Sequence, residues 1–254
     1  MIVKNNVASE GGHWYHRETG ESVYQVKAKN GSMRNTTLRD ARTMNLVPSV
    51  SGIIGVMASE GLVQWRINNT LMSALTLPKI DGETVDEFGE RVKIDSKEQS
   101  AQAMDTGTRI HKSIELYMQG ERDVEFPLHS ESVVKAMEAH FGERPWEGEV
   151  SFAHKHYGGK TDCIDFLGDG IVVDFKSKDF TDLSKVVAYD NLPMQLSAYR
   201  EGFLLPKARC ANIFVSVQNP ELTKVIEYRD EELQRAWSMF QCCLRLWQLK
   251  NNYE

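Results

Sequence analysis

A chain of 254 residues is long enough to bury a core without disulfide or metal staples, and 41% hydrophobic with 26% charged residues is the balance of an ordinary folded protein. Small stapled scaffolds and fibrous or disordered chains are thereby excluded. Thirty basic against 36 acidic side chains give a net charge of −6, which excludes a protein that coats nucleic acid through bulk positive charge.

The amino-terminal stretch MIVKNNVASEGGHWYHRETG has neither an apolar leader core nor an Arg-rich presequence, and no run approaches the roughly 18 to 20 apolar residues of a bilayer span. A soluble cytoplasmic protein, or a phage-type protein acting in the host cytoplasm, is expected. Residues 23–27 alternate as a short strand, and Thr36 or Thr37 is placed to cap a short helix through Thr43. Between Gln25 and Asn45, Lys27, Lys29, Arg34, Arg39 and Arg42 stand against a single acid, Asp40, a local charge suited to phosphates. Pro48 opens the apolar stretch PSVSGIIGVM, and Gly61 precedes LVQWRINNTLMSAL, whose apolar positions recur at helical spacing. Two helices are expected there. In residues 81–98 seven acids outnumber Arg91, Lys93 and Lys97, the pattern of a solvated helical face or a mobile insertion.

Residues 100–119 read as a longer helix ending at Gly120, and 130–141 as another that Gly142 and Pro145 stop. The character changes at Glu149. There EVSFAHKHYGGKTDCIDFLGDGIVVDFKSKD sets alternating and β-branched runs around two glycine turns, which predicts three consecutive antiparallel strands. A helix with Pro193 in its first turn follows and runs on before Pro206; residues 212–217 and 224–228 then read as strands. The last helix carries Leu233, Trp237, Phe240, Leu244 and Trp247 as one apolar stripe. The expected architecture is α/β, one domain over 1–254 with a small strand-and-helix extension over 1–99 and a core over 100–254.

The four cysteines, Cys163, Cys210, Cys242 and Cys243, form no Cys-x-x-Cys pair, so reduced thiols are expected rather than a zinc ribbon or a four-thiolate iron–sulfur cluster. The chemistry points instead to Asp162 and to Asp174-Phe175-Lys176. In a strand alternate residues share a face, so Asp174 and Lys176 project together while Phe175 turns to the packed side. Two carboxylates brought together by a hairpin repel one another, and oxygen ligands suit Mg²⁺ or Mn²⁺ better than zinc. The plain alternative is a surface Asp–Lys ion pair, worth about 0 to 1 kcal/mol. His111 and Glu115, four apart on a predicted helix, face the same way, as do Gln195 and Tyr199 further on. His154 and His156 share a strand face and are a second pair that could bind metal, but HKHYGG reads rather as an exposed hairpin. Trp14, Tyr15 and Trp65 are either core residues or stacking platforms for bases.

In order, Gly107-x-x-x-His111-x-x-x-Glu115, Glu149, Gly159-x-x-Asp162, Asp174-x-Lys176 and Gln195-x-x-x-Tyr199 resemble the RecB-like branch of the PD-(D/E)XK nuclease superfamily. The segment LVPSVSGIIGVM with Trp65 is similar to phage and mitochondrial genome maintenance exonucleases. The resemblance implies a restriction-endonuclease-like core, a mixed central sheet flanked by helices, with a helical amino-terminal extension. It implies a Mg²⁺- or Mn²⁺-dependent deoxyribonuclease, an exonuclease preferring single strands or free ends in replication, recombination or repair. A flap or branch endonuclease, or a non-catalytic DNA-binding relative, is the alternative. His111, Asp162, Asp174 and the Phe175 carbonyl would hold the metal, and Lys176 would be the catalytic cation. Glu115 and Glu149 would support water, ligand or Lys176, while Gln195 and Tyr199 would touch DNA or brace their helix. The four-cysteine cluster of some relatives is missing, so no iron–sulfur cofactor is expected. The implied partners are DNA and a recombination or replication protein, with no membrane.

Overall fold

The computed structural model describes residues 2–4, 13–57, 60–121 and 125–254. They form two compact units, one of residues 1–56 with 110–254 and the other of residues 57–109. The strands are β1 (Ile2–Lys4), β2 (Trp14–His16), β3 (Gln25–Lys27), β4 (Met33–Asn35), β5 (Leu46–Pro48), β6 (Glu147–Ala153), β7 (Gly158–Asp165), β8 (Ile171–Lys178), β9 (Arg209–Ser216) and β10 (Thr223–Tyr228). The helices are α1 (Leu38–Met44), α2 (Val50–Ile54), α3 (Glu60–Thr76), α4 (Val85–Met118), α5 (Pro127–Phe141), α6 (Asn191–Gly202) and α7 (Asp230–Asn251). Among the described residues no helix is long and apolar enough to cross a membrane.

In the larger unit six strands make one sheet in the order β1-β6-β7-β8-β9-β10. Every pairing is antiparallel except β8 with β9, which are parallel and joined through α6. The sheet is therefore mixed and flanked by helices. The expected hairpin strands of residues 149–178 are β6, β7 and β8; the expected strand over 23–27 is only Gln25–Lys27, paired with β4.

Strand alternation sorts the sheet's side chains into two cores. Val150, Phe152, Ile164, Val172 and Cys210 pack with residues of α6 and α7, whereas Cys163, Val173, Phe175, Ala211 and Ile213 pack with Ile110 and Ile114 of α4 and with Val133 and Met137 of α5. The stripe on α7 is rotated from the expected one: Leu233, Ala236, Phe240, Cys243 and Trp247 are buried, with Trp237 and Leu244 at its margin. Trp14 and Tyr15 belong to the core, Trp14 meeting Trp247 edge-on at 6.0 Å.

The smaller unit holds α3 and the first part of α4. The acidic segment is mostly helix, and α4 begins at Val85 rather than near residue 100. Thr84 and Glu87 form a reciprocal cap there, Thr84 N donating to Glu87 at 2.9 Å and Glu87 N to Thr84 Oγ1 at 3.3 Å. No proline interrupts the helix after that cap, and Lys93 pairs with Glu90 at 2.6 Å along its surface.

Candidate active site

The ladder between β7 and β8 is short. It pairs Asp165 with Ile171, Ile164 with Val172 and Cys163 with Val173, and goes no further, whereas β8 stays paired to β9 through Lys178. Beyond Cys163 side chains take over the backbone groups that the parted strands leave: Thr161 Oγ1 donates to the Val173 carbonyl at 3.0 Å, and Phe175 N donates to Asp162 Oδ2 at 2.7 Å. Asp162 is thus fixed at the point where the sheet opens.

Asp174 lies on the α6 side of β8 and is only 3% exposed. Its Oδ2 accepts from Asn212 Nδ2 at 2.7 Å and pairs with Lys176 Nζ at 2.6 Å, and its Oδ1 accepts from Gln195 Nε2 at 3.0 Å. The same amide of Gln195 lies 2.8 Å from the Tyr199 hydroxyl, so the pair on α6 braces this carboxylate. Phe175 faces the opposite core, as strand alternation requires. His111 reaches the opening from α4, its Nδ1 3.6 Å from Asp162 Oδ2 and its ring edge-on to Phe175 at 6.2 Å. These contacts join His111, Asp162, Phe175, Asp174, Lys176, Gln195 and Tyr199 in one cluster.

Glu115 and Glu149 make different contacts. Glu115 pairs with Lys112 at 2.8 Å and accepts from Gln119 at 3.1 Å, and Glu149 forms an ion pair with Lys160. Neither is paired with Lys176. Trp65 is 39% exposed in the smaller unit. His154 and His156 sit in the turn between β6 and β7 rather than on a strand face, with the His154 ring tilted against Tyr157.

Two carboxylates, Asp174 buried and Asp162 half-buried, strain the electrostatics of the cluster. Burial pushes Asp174 up, and repulsion by Asp162 adds to it against the pull of Lys176. Burial also opposes charge on Asp162, but His111, Lys176 and the Phe175 N–H outweigh it and hold this carboxyl below its usual range. For His111 and Lys176 burial lowers the pKa, and the neighbouring aspartates reverse the sign, so both are shifted up.

Two carboxylates and one imidazole are donors of the kind that suits Mg²⁺ or Mn²⁺. Among the described residues no three His, Cys, Asp or Glu side chains are gathered as a metal would hold them. Positive charge at Asp174 comes from Lys176 instead.

Two contributors escaped the sequence analysis. Asn212 stands beside Asp174 in the parallel register and is itself oriented by the Tyr228 hydroxyl, which donates to its Oδ1 at 2.7 Å. The detectable signal was a lone amide inside the apolar run CANIFV. Lys160 precedes Asp162 by two positions and shares its strand face, which alternation alone could have revealed.

No family model matches this chain and no curated protein is similar to it. Among solved structures, SSO0001 has a TM-score of 0.33 at 13% identity, over 71% of this chain and 86% of its own. A "Putative exonuclease" from Eubacterium rectale has a TM-score of 0.41 at 16% identity, over 59% of this chain and 69% of its own.

Proposed function

We propose that the chain is a Mg²⁺- or Mn²⁺-dependent deoxyribonuclease of the RecB-like PD-(D/E)XK type, acting as an exonuclease on single strands or free ends. The observation that carries this reading is the meeting of Asp162, Asp174, Lys176 and His111 where β7 and β8 part. A structural ion pair has no need of a second, half-buried carboxylate beside it, because the added repulsion costs stability.

Asp162, Asp174, His111 and the Phe175 carbonyl would hold the metal, which when bound acidifies a water and neutralises charge building on the phosphoryl oxygens. Lys176 orients the attacking water or stabilises the in-line transition state. Gln195 and Asn212 keep Asp174 from turning away, and Tyr199 holds Gln195. The preference for ends rests on the resemblance to phage and mitochondrial exonucleases.

End-labelled linear and circular single strands, incubated with Mg²⁺ or with EDTA, test the proposal. Mg²⁺-dependent loss of the linear strand with the circle spared is expected. Equal cutting of the circle would replace the exonuclease by an endonuclease, and hydrolysis undiminished by EDTA would remove the metal from the reaction.

A further inference from the structure

The motif Gly159-x-x-Asp162 leaves position 160 open, and there the chain carries a second enclosed ammonium. Lys160 and its partner Glu149 have side chains only 13% and 19% exposed. An ammonium has three donors, and Glu149 is the acceptor that Lys160 has among the described residues. Glu149 meets it from a rare conformation. Its φ is +55°, in the middle of β6, between the paired residues Gly148 and Val150. A residue with a side chain persists in that region only where its surroundings hold it, and such positions cluster at binding and catalytic sites.

Along β7, Lys160 and Asp162 are two residues apart on one face, about 6.7 Å. That span is close to the step between successive phosphates of an extended single strand.

We infer that Lys160 binds the phosphodiester next to the one being cleaved, with Glu149 aiming its ammonium along the path of the strand. The inference rests on the nuclease reading and extends it with a subsite. On binding, the donors of Lys160 not engaged by Glu149 go to the non-bridging oxygens of that phosphate, which fixes the register of the strand relative to Asp162 and Asp174.

The test uses a short fluorescent single strand, its anisotropy titrated in EDTA at several salt concentrations and its cleavage followed in Mg²⁺. In Lys160→Gln the slope of log affinity against log salt becomes shallower by about 0.7, the share of one phosphate contact on a single strand. KM rises about tenfold, with a smaller change in kcat, and Lys160→Arg restores most of the loss. A strand with a neutral methylphosphonate at the flanking position weakens the wild type but not Lys160→Gln. If Lys160→Gln does not fold because Glu149 loses its partner, the double variant Glu149→Gln with Lys160→Gln carries the same measurement. A wild-type slope and KM in a folded Lys160 variant of a cleaving enzyme overturn this inference alone. Wild-type protein that neither binds nor cleaves the strand overturns the nuclease reading, and this inference with it.

Discussion

Asp174 is held by three side chains from three elements: Lys176 of β8, Gln195 of α6 and Asn212 of β9. Asn212→Ala leaves Asp174 Oδ2 and the Tyr228 hydroxyl each short of a buried partner, so it should cost about 1–3 kcal/mol, read as a lower urea midpoint. Its activity should fall as well, because Asp174 is then free to rotate. Asp174→Asn should abolish hydrolysis yet remain folded by circular dichroism, since the amide keeps the shape while Lys176, 30% exposed, still reaches water. An Asp174→Asn protein that retained wild-type turnover would move the chemistry elsewhere. That Asp174 and Lys176 share a face was legible in the sequence, because strand alternation fixes it. The role of Asn212 was not, because it depends on the parallel register between β8 and β9, a fact of the folded sheet.

The opening between β7 and β8 depends on close packing behind it, where glycines leave room for aromatic rings. A Cβ at Gly159 would meet Tyr199 Cε1 at 2.6 Å, and one at Gly202 would meet Phe152 Cε2 at 1.9 Å. Gly202→Ala should therefore destabilise by about 1–3 kcal/mol through overpacking, measured by thermal melting. Gly159→Ala should in addition lower turnover, because the ring it displaces holds Gln195 against Asp174. At the other end of the sheet, Glu227 of β10 takes Arg209 of β9 at 2.6 Å and His140 of α5 at 2.7 Å. The Arg209 hydrogen bond holds Glu227 below its usual pKa, with His140 adding to it against burial. A depressed acid contributes stability that is complete above its unfolded value of about 4.3 and is lost as pH falls through the folded value. Urea midpoints measured from about pH 6 to about pH 3, on either side of that unfolded value, should drop less steeply in Glu227→Gln than in the wild type. Equal slopes would remove this pair from the acid limb. The start of α4 is marked by the Thr84-x-x-Glu87 box, a signal the sequence analysis passed over in reading residues 81–98 as a solvated helical face or a mobile insertion.

Over the whole molecule the cysteines report the integrity of the larger unit. Cys163, Cys210 and Cys243 are buried and Cys242 is exposed; burial pushes Cys210 up to about 12 and Cys163 well above the usual thiol range. A thiol-alkylating reagent at mildly alkaline pH should label Cys242 first and the other three only after denaturant is added, as peptide mass mapping would show. The strands β6 to β10 were foreseeable because turn glycines and β-branched runs mark strands locally, and their mixed pairing was what the resemblance implied. The pairing of β1 with β6 was not foreseeable, since it joins residues 2–4 to residues 150–152 and leaves no local signature. The central claim, that Asp162 and Asp174 share a divalent cation with His111, is tested most directly by crystals soaked in Mn²⁺. Anomalous difference density within coordination distance of both carboxylates and the His111 imidazole is the predicted result. Mn²⁺ bound elsewhere on the protein, with no density at the opening between β7 and β8, would contradict it.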